Sequence, residues 1–490
     1  MAFYANCSAS FLEFGFLASL HASLQVRGFI SFQFLSTMPV SVFDMQSLQH
    51  LWGTEELRNI FSEGNRIQKW LDFESALAAA QAEMKIIPEA AAKEIAEKSH
   101  VANIDIAAMS AEIRRIKHSL VPALKQLQAA CSKENGEWVH YGATTQDVVD
   151  TGVALQLKEF HAVVMRDMKA VGLELSRLAV ANRDVPMAGR THGVQALPIT
   201  FGHKCALWLD ELGRHHERLV QAEPRVLVGM LAGAVGSQAS LGPKAQELEE
   251  RVMAKLGLGS PAISWAPARD RFTEYTTVLA MIGATLSKIG NELFNMQRNE
   301  FGEVEEGFSE GKLGSSTMPH KRNPTSAENL AGLSRPLRYN AAMMMEGMVQ
   351  EGERDGIAWK MEWKAVPECC MIAGAMLFQA KNLLAGLKVK PDVMAANLDK
   401  MRGYLLSERV MLELSERLGK QTAHEWIYEA SMHGIENKLA FADAMRQHEG
   451  LGKALSDAEI LDFTDPTAYL GQCAASVDRV VAQQSGWLNR

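Results

Sequence analysis

Apolar residues recur along this chain at steps of three and four, the spacing of one face of an α-helix. Trp70, Phe73, Leu77, Ala80, Met84 and Ile87 form one such stripe, and Pro88 closes it. Val153, Leu157, Val164, Met168, Val171, Leu175 and Leu178 form a longer one ahead of Pro186. The sequence predicts a third long helix over roughly 270–300 and a fourth over roughly 325–350. No convincing run of alternating strand positions is seen. The pattern therefore predicts an all-α protein built on a bundle of long helices. Such helices carry apolar stripes too long to bury within a monomer of modest width, so packing between subunits is expected.

With 490 residues the chain can bury a large core and divide into two or three domains. The expected parts are an extension over 1–44, an N-terminal helical domain over 45–150, a central bundle over 151–390 and a C-terminal helical domain over 391–490. Glycine, threonine and aspartate between Gly142 and Thr151 mark the first junction, and Lys388-Val389-Lys390-Pro391-Asp392 the second. The extension is rich in phenylalanine and leucine, but Glu13 and Arg27 interrupt it. A membrane span needs about 20 predominantly apolar residues, and a signal peptide needs a cationic start. Neither fits, so 1–44 is expected to be a disordered or non-native leader, with Met38 or Met45 as candidate starts.

A net charge of -8 argues against nucleic acid as a partner, and no segment suits a membrane. Six cysteines without a C-x-x-C pair read as reduced thiols of a cytoplasmic protein. No histidine or cysteine cluster has metal-ligand spacing, and neither G-x-x-x-x-G-K-[ST] nor G-x-G-x-x-G occurs. No metal and no cofactor are implied.

One segment resists the helical pattern. Gly314-Ser315-Ser316-Thr317-Met318-Pro319-His320-Lys321-Arg322-Asn323-Pro324 combines helix breakers with hydroxyls, a cation and an amide. Gly307 and Gly311 lengthen the flexible stretch to about fifteen residues, and loops that long in compact domains are usually functional. Its backbone amides and Lys321 suit an anion.

This segment resembles the signature loop of the fumarase/aspartase superfamily, G-S-S-x-M-P-x-K-x-N. His140-Tyr141-Gly142-Ala143-Thr144-Thr145-Gln146-Asp147 is similar to that superfamily's first motif, and Gly189-Arg190-Thr191-His192-Gly193 to its second. The resemblance runs from about residue 45 to near the C-terminus. It is nearest to the branch holding adenylosuccinate lyase and 3-carboxy-cis,cis-muconate cycloisomerase. It implies a three-part helical fold whose central helices assemble the core of a homotetramer. It also implies a small dicarboxylate substrate, from which a proton is removed beside a carboxylate and a group expelled from the next carbon.

Carried onto this chain, the resemblance makes Ser315 the candidate base. Loop amides and Lys321 would stabilise its alkoxide. A serine capping the following helix is the simpler alternative. His192 is the candidate acid, and Glu328, at the position that pairs with it in the family, would orient its ring and favour its charged form. Lys321 and Asn323 would hold one carboxylate. Thr144, Thr145 and Thr191 would serve the substrate's other end, with the two former also able to cap a helix before Asp147. His118 and Arg354 match substrate-contacting positions of adenylosuccinate lyases. His203, His215 and His216 lack such context and read as structural.

The chain departs from adenylosuccinate lyases at three tryptophans. Trp265 stands where those enzymes have a glutamine, and Trp359 and Trp363 where a serine and an arginine bind phosphate. An indole offers one donor and no charge. The expectation is a carbon–nitrogen lyase that releases fumarate and an amine from a small N-substituted aspartate. The alternatives are a carboxymuconate cycloisomerase, adenylosuccinate lyase proper, and a catalytically silent structural relative.

Overall fold

The structure is a computed structural model and describes residues 40–307 and 317–489. Much of the expected 1–44 extension, and Ser315 with most of the glycine-rich part of the signature loop, lie outside the described residues. The chain divides into two compact units, one ending at His50 and the other starting at Leu51. The second unit holds the long helices and the described site residues.

Long helices dominate it. The first stripe lies on a helix, α1, Glu63–Glu83, whose Ser62 accepts from Asn65 N at its start. The helix ends before Pro88, which instead caps the next one, Glu89–Lys98. The second stripe lies on α2, Thr145–Ala181, where Val164, Met168, Val171 and Leu175 are fully buried. The third and fourth long helices are α4, Asp270–Met296, and α5, Thr325–Glu346. Two more complete the bundle: α3, Phe201–Val226, and α6, Trp359–Ala385. Helix α4 packs on α5, α3 and α6, while α2 packs on α3 and α6.

One close approach in the bundle depends on glycine. A Cβ built on Gly290 of α4 would lie 2.9 Å from the carbonyl oxygen of Ala327 and 2.8 Å from Leu330 Cβ. Any side chain there would push the first turn of α5 away. That first turn carries Glu328, so a glycine on one helix sets the position of a candidate site residue on another.

Two strands appear where the sequence offered no strand signal. β1, Pro186–Thr191, and β2, Val194–Thr200, pair antiparallel, with Thr191 opposite Val194. Gly189 and Pro198 interrupt the alternation, and the pairing is irregular between Ala188 and Arg190. The hairpin is too short and irregular for its period to stand out. Its turn is His192-Gly193, with φ of 54° and 81°, the two left-handed residues that a tight hairpin turn requires.

The apolar core is continuous across the first expected domain junction. Trp70, Phe73 and Leu77 of α1 share a cluster with Val148 and Val149 of α2 and with Leu248 and Val252. A separate cluster, including Val410, Ile427, Phe441 and Phe463, lies near the C-terminus. Among the described residues no helix is long and apolar enough to cross a membrane.

Candidate active site

The start of α2 is built by a reciprocal cap. Thr144 and Asp147 satisfy each other's backbone amides, with Thr144 N donating to Asp147 Oδ2 at 2.9 Å. The cap expected at this motif is therefore present. Arg354 Nη1 donates to Thr144 Oγ1 at 3.0 Å. His118 Nε2 lies 3.2 Å from Thr145 Oγ1, and its Nδ1 accepts from Val121 N at 3.2 Å. A ring nitrogen that accepts from a backbone amide carries no proton, so His118 is the neutral tautomer with its hydrogen on Nε2. Burial, and then the Arg354 charge, pull its pKa below the ordinary histidine value. Four of the expected site residues, His118, Thr144, Thr145 and Arg354, thus meet at one helix N-terminus.

Asp147 does more than cap. It is fully buried and also accepts from Ala232 N at 2.9 Å and Gly233 N at 3.1 Å. Burial raises its pKa to about 6, against the pull of these amides. Glu249 grips the same loop, accepting from Leu231 N at 2.8 Å and Gln238 Nε2 at 3.0 Å. Burial raises it to about 7. Beside them His140 meets the buried Glu74 at 2.7 Å. Burial works against the charged ring, but the Glu74 carboxylate wins and raises the pKa of His140.

Below the cap lies a buried ion cluster. Arg269 Nη1 donates to Asp150 at 2.7 Å and its Nε to Glu362 at 2.6 Å, with all three side chains nearly inaccessible. Trp359 Nε1 donates to Asp150 Oδ1 at 3.0 Å, and Trp265 Nε1 donates to the Gly229 carbonyl at 2.9 Å. Both indole donors are used inside the protein.

The second motif lies on the hairpin. Thr191 and His192 are exposed at its tip. Arg190 anchors the hairpin through a bidentate pair with the buried Glu303, at 2.9 and 2.6 Å, and Asn397 Nδ2 also donates to Glu303.

The third group lines a cavity of about 850 Å³ that contains Lys321, Asn323 and Glu328. Two of its other cations are neutralised, since Glu305 pairs with Arg322 at 2.6 Å and Lys390 at 2.9 Å. The amides of Ser326 and Ala327 at the start of α5 are occupied by Glu306. Lys321 is exposed, and among the described residues no hydrogen bond or ion pair holds its ammonium.

The single chain thus gathers the expected residues into three groups. His192 and the α2 cap residues are absent from the lining of the Lys321 cavity. Among the described residues no hydrogen bond or ion pair joins His192 to Glu328. Asp150, Arg269, Glu362, His140 and Glu249 were given no role from the sequence, nor was the hold of Asp147 on the 231–238 loop. A charged residue inside an apolar helix, such as Asp150 between Val149 and Thr151, was the available signal. Of the three bundle histidines, His215 is locked between Thr285 and Arg218, and burial lowers its pKa to about 4, which is structural behaviour.

Comparison with known proteins identifies the family. Residues 52–337 match the family model described as lyase, and residues 403–480 the one described as adenylosuccinate lyase C-terminus. The N-acetyl-S-(2-succino)cysteine lyase of Enterococcus italicus is 49% identical over 449 residues, 91% of this chain and 98% of that one. The fumarate lyase from Mesorhizobium sp. BNC1 superposes with a TM-score of 0.83 at 36% identity, over 88% of this chain and 98% of that chain. The 3-carboxy-cis,cis-muconate lactonizing enzyme from Pseudomonas putida does so with a TM-score of 0.84 at 33% identity, over 89% and 98%. The chain is a lyase of the fumarase/aspartase superfamily, on the branch that includes adenylosuccinate lyase and carboxymuconate cycloisomerase.

Proposed function

We propose that the protein releases fumarate by β-elimination from a small succinylated compound. Its best substrates carry the succinyl group on the sulfur of a carboxylated thiol. N-substituted aspartates, the substrates expected from the sequence, are the second class.

The state of the tryptophans carries the proposal. Adenylosuccinate needs donors or charge for its phosphate; Trp359 has already given its N–H group to Asp150, and the Arg66 guanidinium that lies over Trp363 shares its cavity with the Glu63 and Glu362 carboxylates, which oppose a dianion. The groups suited to carboxylates remain: Lys321, Thr144, Thr145 and Arg354. Similarity to an enzyme named for an S-linked succinyl group adds support for sulfur as the leaving atom.

In the proposed reaction Ser315, as its alkoxide, takes the proton from the carbon next to the succinyl carboxylate. That electron pair becomes the carbon–carbon double bond, and the bond to sulfur breaks. Lys321 and Asn323 hold the carboxylate on which charge grows. His192, polarised by Glu328, gives a proton to the departing sulfur. A thiolate leaves more readily than an amide or amine anion, because a thiol's pKa is about 8.5. Protonation by His192 therefore matters less for a thioether than for an aspartate derivative. We further propose that the three residue groups come together between subunits of a homotetramer.

A substrate panel tests this. Purified protein is given N-acetyl-S-(2-succino)cysteine, adenylosuccinate and 3-carboxy-cis,cis-muconate, and kcat/KM is compared. The reading requires the thioether to lead by about a hundredfold or more, equivalent to about 2.7 kcal/mol of transition-state binding. A higher value on adenylosuccinate or carboxymuconate overturns it.

A further inference from the structure

A cavity of about 240 Å³ lies between α1, α2 and α6, and it does not include the residues proposed for the lyase reaction. Its polar feature is Arg66. The guanidinium lies over the rings of Trp70 and Trp363, with its carbon 5.0 and 5.4 Å from their centroids. Among the described residues no hydrogen bond or ion pair reaches it, although the group is half-buried. An arginine so placed keeps its charge but leaves its planar donor edge unused.

The other walls define what could use that edge. Phe61, Val153, Val366 and Pro367 are apolar, and Trp359 and Trp363 meet edge to face at 5.1 Å. Gln156 is engaged with the Ile60 carbonyl. Glu362 also lines the cavity, but both of its oxygens accept from Arg269. Glu63 lies close enough to favour Arg66's charge without forming an ion pair. Two carboxylates near one available guanidinium oppose a multiply charged ligand.

We propose that this cavity is a second binding site, for a small monocarboxylate with an apolar body. Its carboxylate takes the Arg66 fork and its body lies against Trp363 and Trp359. A bidentate arginine–carboxylate contact is geometry-specific, so a neutral amide does not reproduce it; a phosphate dianion can take the same fork, but its second charge is opposed by Glu63 and Glu362.

The test uses the full-length protein and benzoate as probe, read through tryptophan fluorescence, since two indoles border the site. Benzoate should change the signal saturably, with benzamide and inorganic phosphate at least about tenfold weaker. Arg66→Gln should weaken benzoate by about tenfold or more and leave fumarate release unchanged. Arg66→Lys preserves charge and stem but not the planar fork, and should also weaken it. If Arg66→Gln fails to fold, Arg66→Lys alone decides. Unchanged benzoate affinity in the folded variants overturns the proposal. So does loss of benzoate binding in Lys321→Ala with retention in Arg66→Lys, which would place the probe in the lyase cavity.

Discussion

Arg354 Nη1 donates to Thr144 Oγ1 at 3.0 Å, across 210 positions of sequence. The contact brings a cation to a helix N-terminus that already presents two hydroxyls and a neutral histidine. Cation, hydroxyls and helix end all favour a negatively charged group at the same point.

Arg354 is therefore expected to act in substrate binding and not in stability, since its side chain is exposed. Arg354→Ala should lower kcat/KM by about a hundredfold, the scale of one lost charge-assisted contact. Circular dichroism and thermal unfolding should stay near wild type. Full activity in this variant would remove the α2 cap from the site.

The ion cluster behind the cap behaves oppositely. Arg269→Met leaves Asp150 and Glu362 buried without their cation, which costs about 3–5 kcal/mol. Thermal unfolding should shift strongly downward. Adding Asp150→Asn and Glu362→Gln should recover much of the loss, because the uncompensated charge is gone. An Arg269→Met protein as stable as wild type would contradict the cluster.

Asp147 and Glu249 make stability depend on pH with a defined sign. Their native values, about 6 and about 7, lie above those of an ordinary carboxylate. Between about pH 4 and those values the native state holds more protons than the unfolded chain. Their contribution is complete below pH 4 and is lost as pH rises through 6 and 7. Glu249→Gln removes one of the two titrations and keeps an acceptor for Leu231 N. Thermal midpoints measured from pH 5 to pH 8 should fall less steeply in the variant than in wild type. Parallel curves would contradict the assignment.

The long helices were legible because burial on one face writes a period into the sequence. Val164, Met168, Val171 and Leu175 sit where that period places them. The cap was legible too, because Thr144 and Asp147 are local in sequence. The hairpin was not: Gly189 and Pro198 break its alternation, and its six- and seven-residue strands hold together through pairing that a pattern does not display. The same is true of Arg190, whose partner Glu303 lies 113 positions away. Asp150 and Arg269 are 119 positions apart, and neither residue alone reveals the other. Contacts set by tertiary packing, not by neighbours in sequence, made up what the motifs left out.

Ser315→Ala tests the central claim most directly. With N-acetyl-S-(2-succino)cysteine at saturation, fumarate absorbance and thiol titration are followed together. Wild type should form fumarate and free thiol in equal amounts, while the variant should bind substrate but turn it over at least about a thousandfold more slowly, about 4 kcal/mol in barrier. Undiminished turnover by the variant, or thiol released without fumarate, would contradict the account.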